Sequence, residues 1–270
     1  MTSAQRIIKY CALAFAVFLS VSIIGGIISM FVCLTGIFGG GDAAGEMKSY
    51  TVNENIENLD IDISAAALEI KNGKDFSVES NHNYLKVKEK DGTLVISDEK
   101  PFWVFNVSGV KVILTVPYDK VFDKASVSAG AGRVSIESLS ANTLDLDFGA
   151  GEVDIENLVG ASKAEINGGT GKLTVRDGAL CDLDLDMGVG ALYLTSRLSG
   201  KCELDYGVGE THLVLLGTSE EYQIDFDKGL GSATLEGKEM SDGSVYGTGD
   251  SKIYIDGGVG SVSISFRDYE

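Results

Sequence analysis

The feature that most constrains this chain is a Gly-x-Gly triplet that recurs at near-constant spacing between alternating apolar stretches. Triplets begin at Gly130, Gly149, Gly169, Gly188, Gly207, Gly229 and Gly258, at intervals of 19, 20, 19, 19, 22 and 29 residues. Such self-similarity is the signature of a repeat architecture. Counted from the first glycine, positions −5, −3 and −1 carry Leu144, Leu146 and Phe148 in one unit. They carry Leu183, Leu185 and Met187 in another, and Cys202, Leu204 and Tyr206 in the next. Positions +4 and +6 carry Val134/Ile136, Val153/Ile155, Leu173/Val175, Leu192/Leu194 and Val262/Ile264. Period-two alternation on both sides of each triplet marks strands with one buried face.

The step from −1 to +4 is odd, so the alternation slips by one residue across the glycines. An uninterrupted strand would turn its apolar set outward there. The triplet must therefore absorb a residue, which glycine does cheaply. Ser64-Ala65-Ala66 fills the same slot in an earlier unit, with Leu59, Ile61 and Ile63 before it and Leu68 and Ile70 after it.

Hairpin tips in an antiparallel meander would use these signals. So would corners in a stack of translated coils. The constant period and constant polarity of the pattern favour translation. The expected fold class is all-β: a parallel β-solenoid (β-helix) of 19–20-residue coils, preceded by a single N-terminal transmembrane helix. The chain has 34 Gly and only Pro101 and Pro117, which suits many tight corners and excludes collagen and proline-rich linkers. Residues 72–124 interrupt the regularity. Tyr84–Lys88, Thr93–Ser97 and Val110–Val116 read as strands there, with Asp91-Gly92 a hairpin turn and Pro117 closing the third.

Residues 10–41 are 32 consecutive uncharged positions, enough for a membrane span and longer than a signal-peptide core. Arg6 and Lys9 precede this stretch and no Lys or Arg follows until Lys48. The positive-inside rule then places residues 1–9 as a cytoplasmic tail and 10–36 as the transmembrane helix. Residues 37–55 are expected to be a linker and 56–270 a β-strand-repeat ectodomain. The expected location is the cell membrane, single-pass, with the N-terminus cytoplasmic and the C-terminal domain extracytoplasmic.

Net charge is −18, and 40 acids face 20 bases once Arg6 and Lys9 are set aside. That balance repels nucleic acid and argues against nucleic-acid binding. Cys11 and Cys33 fall in the apolar segment. Cys181 and Cys202 lie about one repeat apart, both at inward phase, and read as buried thiols, with a pairing across adjacent coils left open. No C-x-x-C spacing supports zinc.

The order of motifs resembles a known family. An Ile56-x-x-Leu-Asp-Ile-Asp-Ile63 strand, a Lys90-Asp-Gly-Thr-Leu-Val-Ile96 segment and an Ile113-Leu-Thr-Val-Pro117 strand precede Gly-Ala-Gly-x-Val-x-Ile units. Together they resemble the bacterial β-strand-repeat family named putative adhesin, a domain of unknown function, over residues 50–268. It is similar to extracytoplasmic domains found near cell-envelope stress systems. The resemblance implies a β-helical fold and an envelope location, and it supplies no catalytic residues.

Motifs that suggest chemistry fail on spacing. Asp182-x-Asp184-x-Asp186 has Met187 and Tyr193 where a calcium loop needs Gly and Glu. Gly168-Gly-Thr-Gly-Lys172 lacks the first glycine and the Ser/Thr of a phosphate loop, and Leu173 stands where a calcium-binding nonapeptide needs Asp. His82 and His212 are the only histidines, and neither has a Ser or Cys visibly poised beside it. Phe102-Trp-Val-Phe105 reads as a hydrophobic cap over an open coil end.

The acidic residues are more ordered. Asp145, Asp184, Glu203 and Asp225 occupy position −4, and Asp147, Asp186, Asp205 and Asp227 occupy position −2. In stacked coils these form two outward columns. They read either as a solvated face that resists aggregation or as a weak Ca²⁺ or Mg²⁺ site bridging to an anionic wall polymer. No other cofactor is expected. The expected function is a non-enzymatic, membrane-anchored module contacting envelope components or partner proteins. The alternatives are an accessory of an envelope-stress sensing system, with a membrane-protein partner, and a polysaccharide-active enzyme. The last needs a locally unique carboxylate pair, which a regular ladder does not offer.

Overall fold

Parallel pairing, residue upon residue, organises the fold. In the computed structural model, which describes residues 43–53, 55–99, 108–227 and 229–268, strand Leu183–Ser199 lies parallel to strand Lys201–Leu216. Leu185 sits beside Leu204, Met187 beside Tyr206 and Gly190 beside Gly209. At the other end of the stack, Ile61 sits beside Val127, Ala66 beside Gly132 and Ile70 beside Ile136. Like positions therefore stack on like positions, and their inward side chains merge into one apolar core running from Leu59 to Ile264. Burying one such Leu or Ile contributes about 1.5–3 kcal/mol.

The phase slip is resolved at the second glycine of each triplet. Gly132, Gly151, Gly171, Gly190, Gly209, Gly260 and Gly231 all have φ between +133° and +152°. They form a column on Ala66 in which each Cα lies against a carbonyl of the coil before. A Cβ on Gly190 would stand 1.8 Å from the Gly171 oxygen, and one on Gly209 would stand 1.7 Å from the Gly190 oxygen. Glycine is required there twice, for the backbone angle and for the approach.

The expected architecture is corrected in three respects. First, the membrane helix is not part of the observed fold. Among the described residues no helix is long and apolar enough to cross a membrane, and the only helical element is a 3-10 turn at Ser219–Glu221. The stretch 10–36 itself lies outside the described residues, as does Phe102–Phe105. Part of the expected linker, Ala44–Thr51, is a strand paired with Ser77–His82.

Second, the coils are not stacked in chain order. Ser251–Arg267 is inserted between Lys201–Leu216 on one side and both Tyr222–Asp227 and Leu230–Leu235 on the other. At the opposite end Asn58–Gly73 is flanked by 124–136 on one side. Its other side takes Thr93–Asp98 and Lys111–Pro117, which together make the terminal coil.

Third, the stack is not wholly parallel. Its terminal coils carry antiparallel strands, which blunt edges that would otherwise recruit other chains. Leu85–Lys90 covers Thr93–Asp98 through a turn with Asp91 at φ 49° and Gly92 at φ 73°. Ser77–His82 covers Lys111–Pro117. At the far end Ser244–Tyr246 covers part of Tyr222–Asp227, and Lys238–Glu239 covers Thr234 and Leu235. Buried Met240 closes the core beneath them.

Gly190→Ala should lower stability by on the order of 3 kcal/mol or more, since no neighbouring backbone can yield. Gly237→Ala, at φ +72° with nothing within 4 Å of its would-be Cβ, should cost only about 1–2 kcal/mol. Equal shifts in melting temperature for the two variants would show that the glycine column is not the constraint.

Candidate functional site: the carboxylate columns

Strand alternation turns positions −4 and −2 outward, and parallel register lines each of them up from coil to coil. The −2 column runs Asn167, Asp186, Asp205, Asp256, Asp227, and the −4 column runs Glu165, Asp184, Glu203, Tyr254, Asp225. Asp145 and Asp147 hold the same two positions one coil before Glu165 and Asn167. The predicted residues do share one face. However, Asp225 and Asp227 are separated from Glu203 and Asp205 by the inserted coil, which contributes Tyr254 and Asp256. Asp256 was missed because the 29-residue interval placed its triplet last in the chain; its −2 position was nevertheless readable.

The two columns differ in compensation. In the −4 column Lys124 pairs with Asp145 at 3.2 Å, Lys163 pairs with Glu165, and Lys201 pairs with Glu203. Lys201 also lies over the Tyr254 ring, 5.3 Å from its centroid. In the −2 column none of Asp147, Asp186, Asp205, Asp256 and Asp227 forms an ion pair with a described cation. Charges about 4.8 Å apart repel by about 0.9 kcal/mol even in water. The Asp205 carboxyl is accordingly held above the usual range, by partial burial first and then by Asp186 and Asp256. Asp227 is raised too, chiefly by a hydrogen bond shared with the Asp242 carboxyl and by that group's charge. Two depressions open along this column. One of about 390 Å³ lies between Asp186, Asp205, Asp256 and the glycine corners. One of about 230 Å³ lies beside Asp227 and Tyr254. Among the described residues no group of three or more His, Cys, Asp or Glu side chains converges to hold a metal ion.

Both histidines have partners that sequence reasoning did not find. His212 stacks on Tyr193, with centroids 4.9 Å apart and planes 5° apart. Its Nδ1 is 2.7 Å from Ser263 Oγ, and its Nε2 is 3.6 Å from Glu210. Glu210 in turn accepts from the Tyr193 hydroxyl. Ser, His and Glu thus follow one another in space. Yet His212 and Ser263 sit in the middle of a continuous parallel ladder. Backbone amides spent in that ladder cannot hold an oxyanion.

His82 is fully buried and its Nε2 lies 3.2 Å from Asp98. The Tyr84 amide donates to His82 Nδ1 at 3.1 Å, so the ring proton sits on Nε2 and is given to Asp98. Asp98 also accepts from the Ser64 hydroxyl at 2.5 Å and the Ser64 amide at 2.8 Å. With the carboxylate between Ser and His, this is a latch, not a proton relay to a nucleophile. Desolvation pushes the Asp98 carboxyl upward, but the hydrogen bonds from His82 and Ser64 outweigh it and hold it down at about 2.

Cys181 and Cys202 are both free; Cys202 is buried and Cys181 is half-buried. Burial pushes the Cys202 thiol up to about 11.

Residues 56–250 match the family model described as Toastrack DUF4097. The chain belongs to the Toastrack DUF4097 family. The family match stops just before the inserted coil 251–267. Among solved structures, the Toastrack chain is similar to a putative adhesin from Bacteroides fragilis, with 18% identity, a TM-score of 0.48, and coverage of 83% of this chain and 100% of that one. A putative adhesin from Parabacteroides distasonis gives 14% identity, a TM-score of 0.45, and coverage of 82% and 98%. A putative cell adhesion protein from Clostridium sporogenes gives 16%, 0.34, and coverage of 82% and 99%. No curated protein matches the chain.

Asp98 and Asp205 set opposite pH dependences. Asp98 is depressed in the fold, so its contribution is present above about pH 4 and is lost as pH falls toward 2. Asp98→Asn should therefore cost about 1.5–3 kcal/mol at pH 7 and progressively less toward pH 2. Asp205 is raised, so its ionised form destabilises the fold at neutral pH and protonation removes that cost. Asp205→Asn should raise the melting temperature at pH 7 and leave it unchanged near pH 3. Parallel melting curves at both pH values for either variant would contradict the assignment.

Proposed function

We propose that this Toastrack chain is a non-enzymatic, extracytoplasmic β-repeat module that contacts a cell-envelope component through the side of its coil stack. One observation carries the reading: a run of in-register aspartates, Asp186, Asp205, Asp256 and Asp227, none of which pairs with a described cation, beside a column in which Glu165 and Glu203 do. A face built with unrelieved like-charge repulsion gains when a partner brings positive charge at the coil spacing. Amine groups of an envelope polymer or of a partner protein supply that charge directly, and bridging Ca²⁺ or Mg²⁺ supplies it to an anionic polymer. The resemblance of the repeats to extracytoplasmic domains supports the placement.

The test is co-sedimentation of the full chain with isolated bacterial cell walls, with and without EDTA. The triple variant Asp186→Asn, Asp205→Asn, Asp256→Asn should lose wall retention, as should the wild type in high salt. Loss with EDTA assigns the contact to bridging ions; retention in EDTA assigns it to amines. Undiminished retention by the triple variant, or turnover of wall glycans by the wild type, would overturn the proposal.

A further inference from the structure

The outer strand face that follows the glycine corners carries the chain's one accessible imidazole. Of the two histidines, His82 is buried and His212 is about half exposed. Glu210 and His212 stand two apart on Lys201–Leu216, so strand alternation turns both to the same side. Each is held by a partner of its own. The Tyr193 hydroxyl donates to Glu210 Oε1, and Ser263 Oγ lies 2.7 Å from His212 Nδ1. Tyr193 also stacks on the imidazole, which fixes the plane of the ring. The remaining polar atoms of the pair, Glu210 Oε2 and His212 Nε2, lie 3.6 Å from each other.

That separation is too long for a hydrogen bond. It is close to the separation of two ligands on one metal ion. With zinc–nitrogen and zinc–oxygen bonds of about 2.1 Å, an ion equidistant from both atoms subtends an angle of about 118°. Tetrahedral Zn²⁺ takes about 109°, whereas tetragonal Cu²⁺ and octahedral Mg²⁺ take about 90°. The surroundings suit ligation. The Tyr193 hydrogen bond, above all, holds the Glu210 carboxyl below its usual range and so keeps it ionised. With Ser263 accepting from Nδ1–H, the Nε2 lone pair is the one left for an ion. Lys172 opposes it: its charge acts on Glu210, and its Nζ lies 5.1 Å from the Tyr193 ring centroid.

We infer that Glu210 and His212 chelate a Zn²⁺ ion, with Tyr193 and Ser263 orienting the two ligands. Two protein donors leave the other positions open to water or to an anionic group from outside. This is an open chelate and not a closed structural site, for which the described residues offer no group of three. It follows the glycine corners, whereas the aspartate columns precede them.

The test is calorimetric titration of the full chain with Zn²⁺, in excess Ca²⁺ and Mg²⁺ to occupy the aspartate columns. His212→Asn should weaken binding roughly tenfold or more, and so should Glu210→Gln, which keeps an acceptor for Tyr193. Tyr193→Phe and Ser263→Ala should each weaken it by less, and Lys172→Met should tighten it. Asp205→Asn and Cys181→Ser should leave it unchanged. Absence of Zn²⁺ binding would overturn the inference. So would an affinity that His212→Asn and Glu210→Gln leave intact. Loss of binding in Asp205→Asn or Cys181→Ser would assign the ion to carboxylates or to thiols, and would overturn it too. Should His212→Asn lower the melting temperature, Glu210→Gln decides, since it changes one half-exposed oxygen to nitrogen. Neither residue is altered in the cell-wall experiment, so either result can fail without the other.

Discussion

The contact on which the rest of the molecule depends is the one between a glycine Cα and the carbonyl oxygen of the coil beneath it. It fixes where each coil turns, and the turn fixes which residues face in. Because the contact repeats at the same position, side chains have no freedom to stagger: a residue stacks on its counterpart whether or not the pair is comfortable. Aspartate over aspartate is the result on one outer face. Magnitudes explain why this is tolerated. Each such step costs about 0.9 kcal/mol in water, while each buried Leu or Ile of the inward columns returns about 1.5–3 kcal/mol. The apolar columns win, and the carboxylate columns come with them.

Where the glycine column begins, its work passes to polar side chains. The Ser64–Ala66 corner has no glycine and takes Asp98 against the Ser64 hydroxyl and amide instead. His82 completes the arrangement from a covering antiparallel strand. A buried carboxylate with this many donors tethers three separate strands at the end of the stack, where no further coil of the described residues holds them.

The corners and the inward residues were legible in the sequence because sterics at the glycine column and burial of alternate residues each leave a periodic trace. So were the outward carboxylates. The Lys163–Glu165 and Lys201–Glu203 pairs were also readable, since residues two apart on a strand share a face. The position of Ser251–Arg267 was not. Parallel ladders join backbone to backbone, and the apolar pattern of that coil fits above Lys201–Leu216 as well as that of 222–235 does. Only the long 29-residue interval hinted that the chain had room to step over a coil and return. The Ser64, His82 and Asp98 cluster left no local trace, because it joins residues 34 and 16 positions apart whose spacing follows no period.

The insertion of Ser251–Arg267 between two earlier coils bears on how the molecule comes apart. Linear repeat proteins usually fray from their ends, one unit at a time, because an end unit has a single neighbour. Here the final coil is clasped on both faces, and the first, Asn58–Gly73, is likewise clasped. Peeling either one away must break two ladders at once. In synthesis the same wiring delays closure, since 222–235 has no lasting seat until the segment that follows it has arrived. The chain is slow to finish and correspondingly hard to unzip.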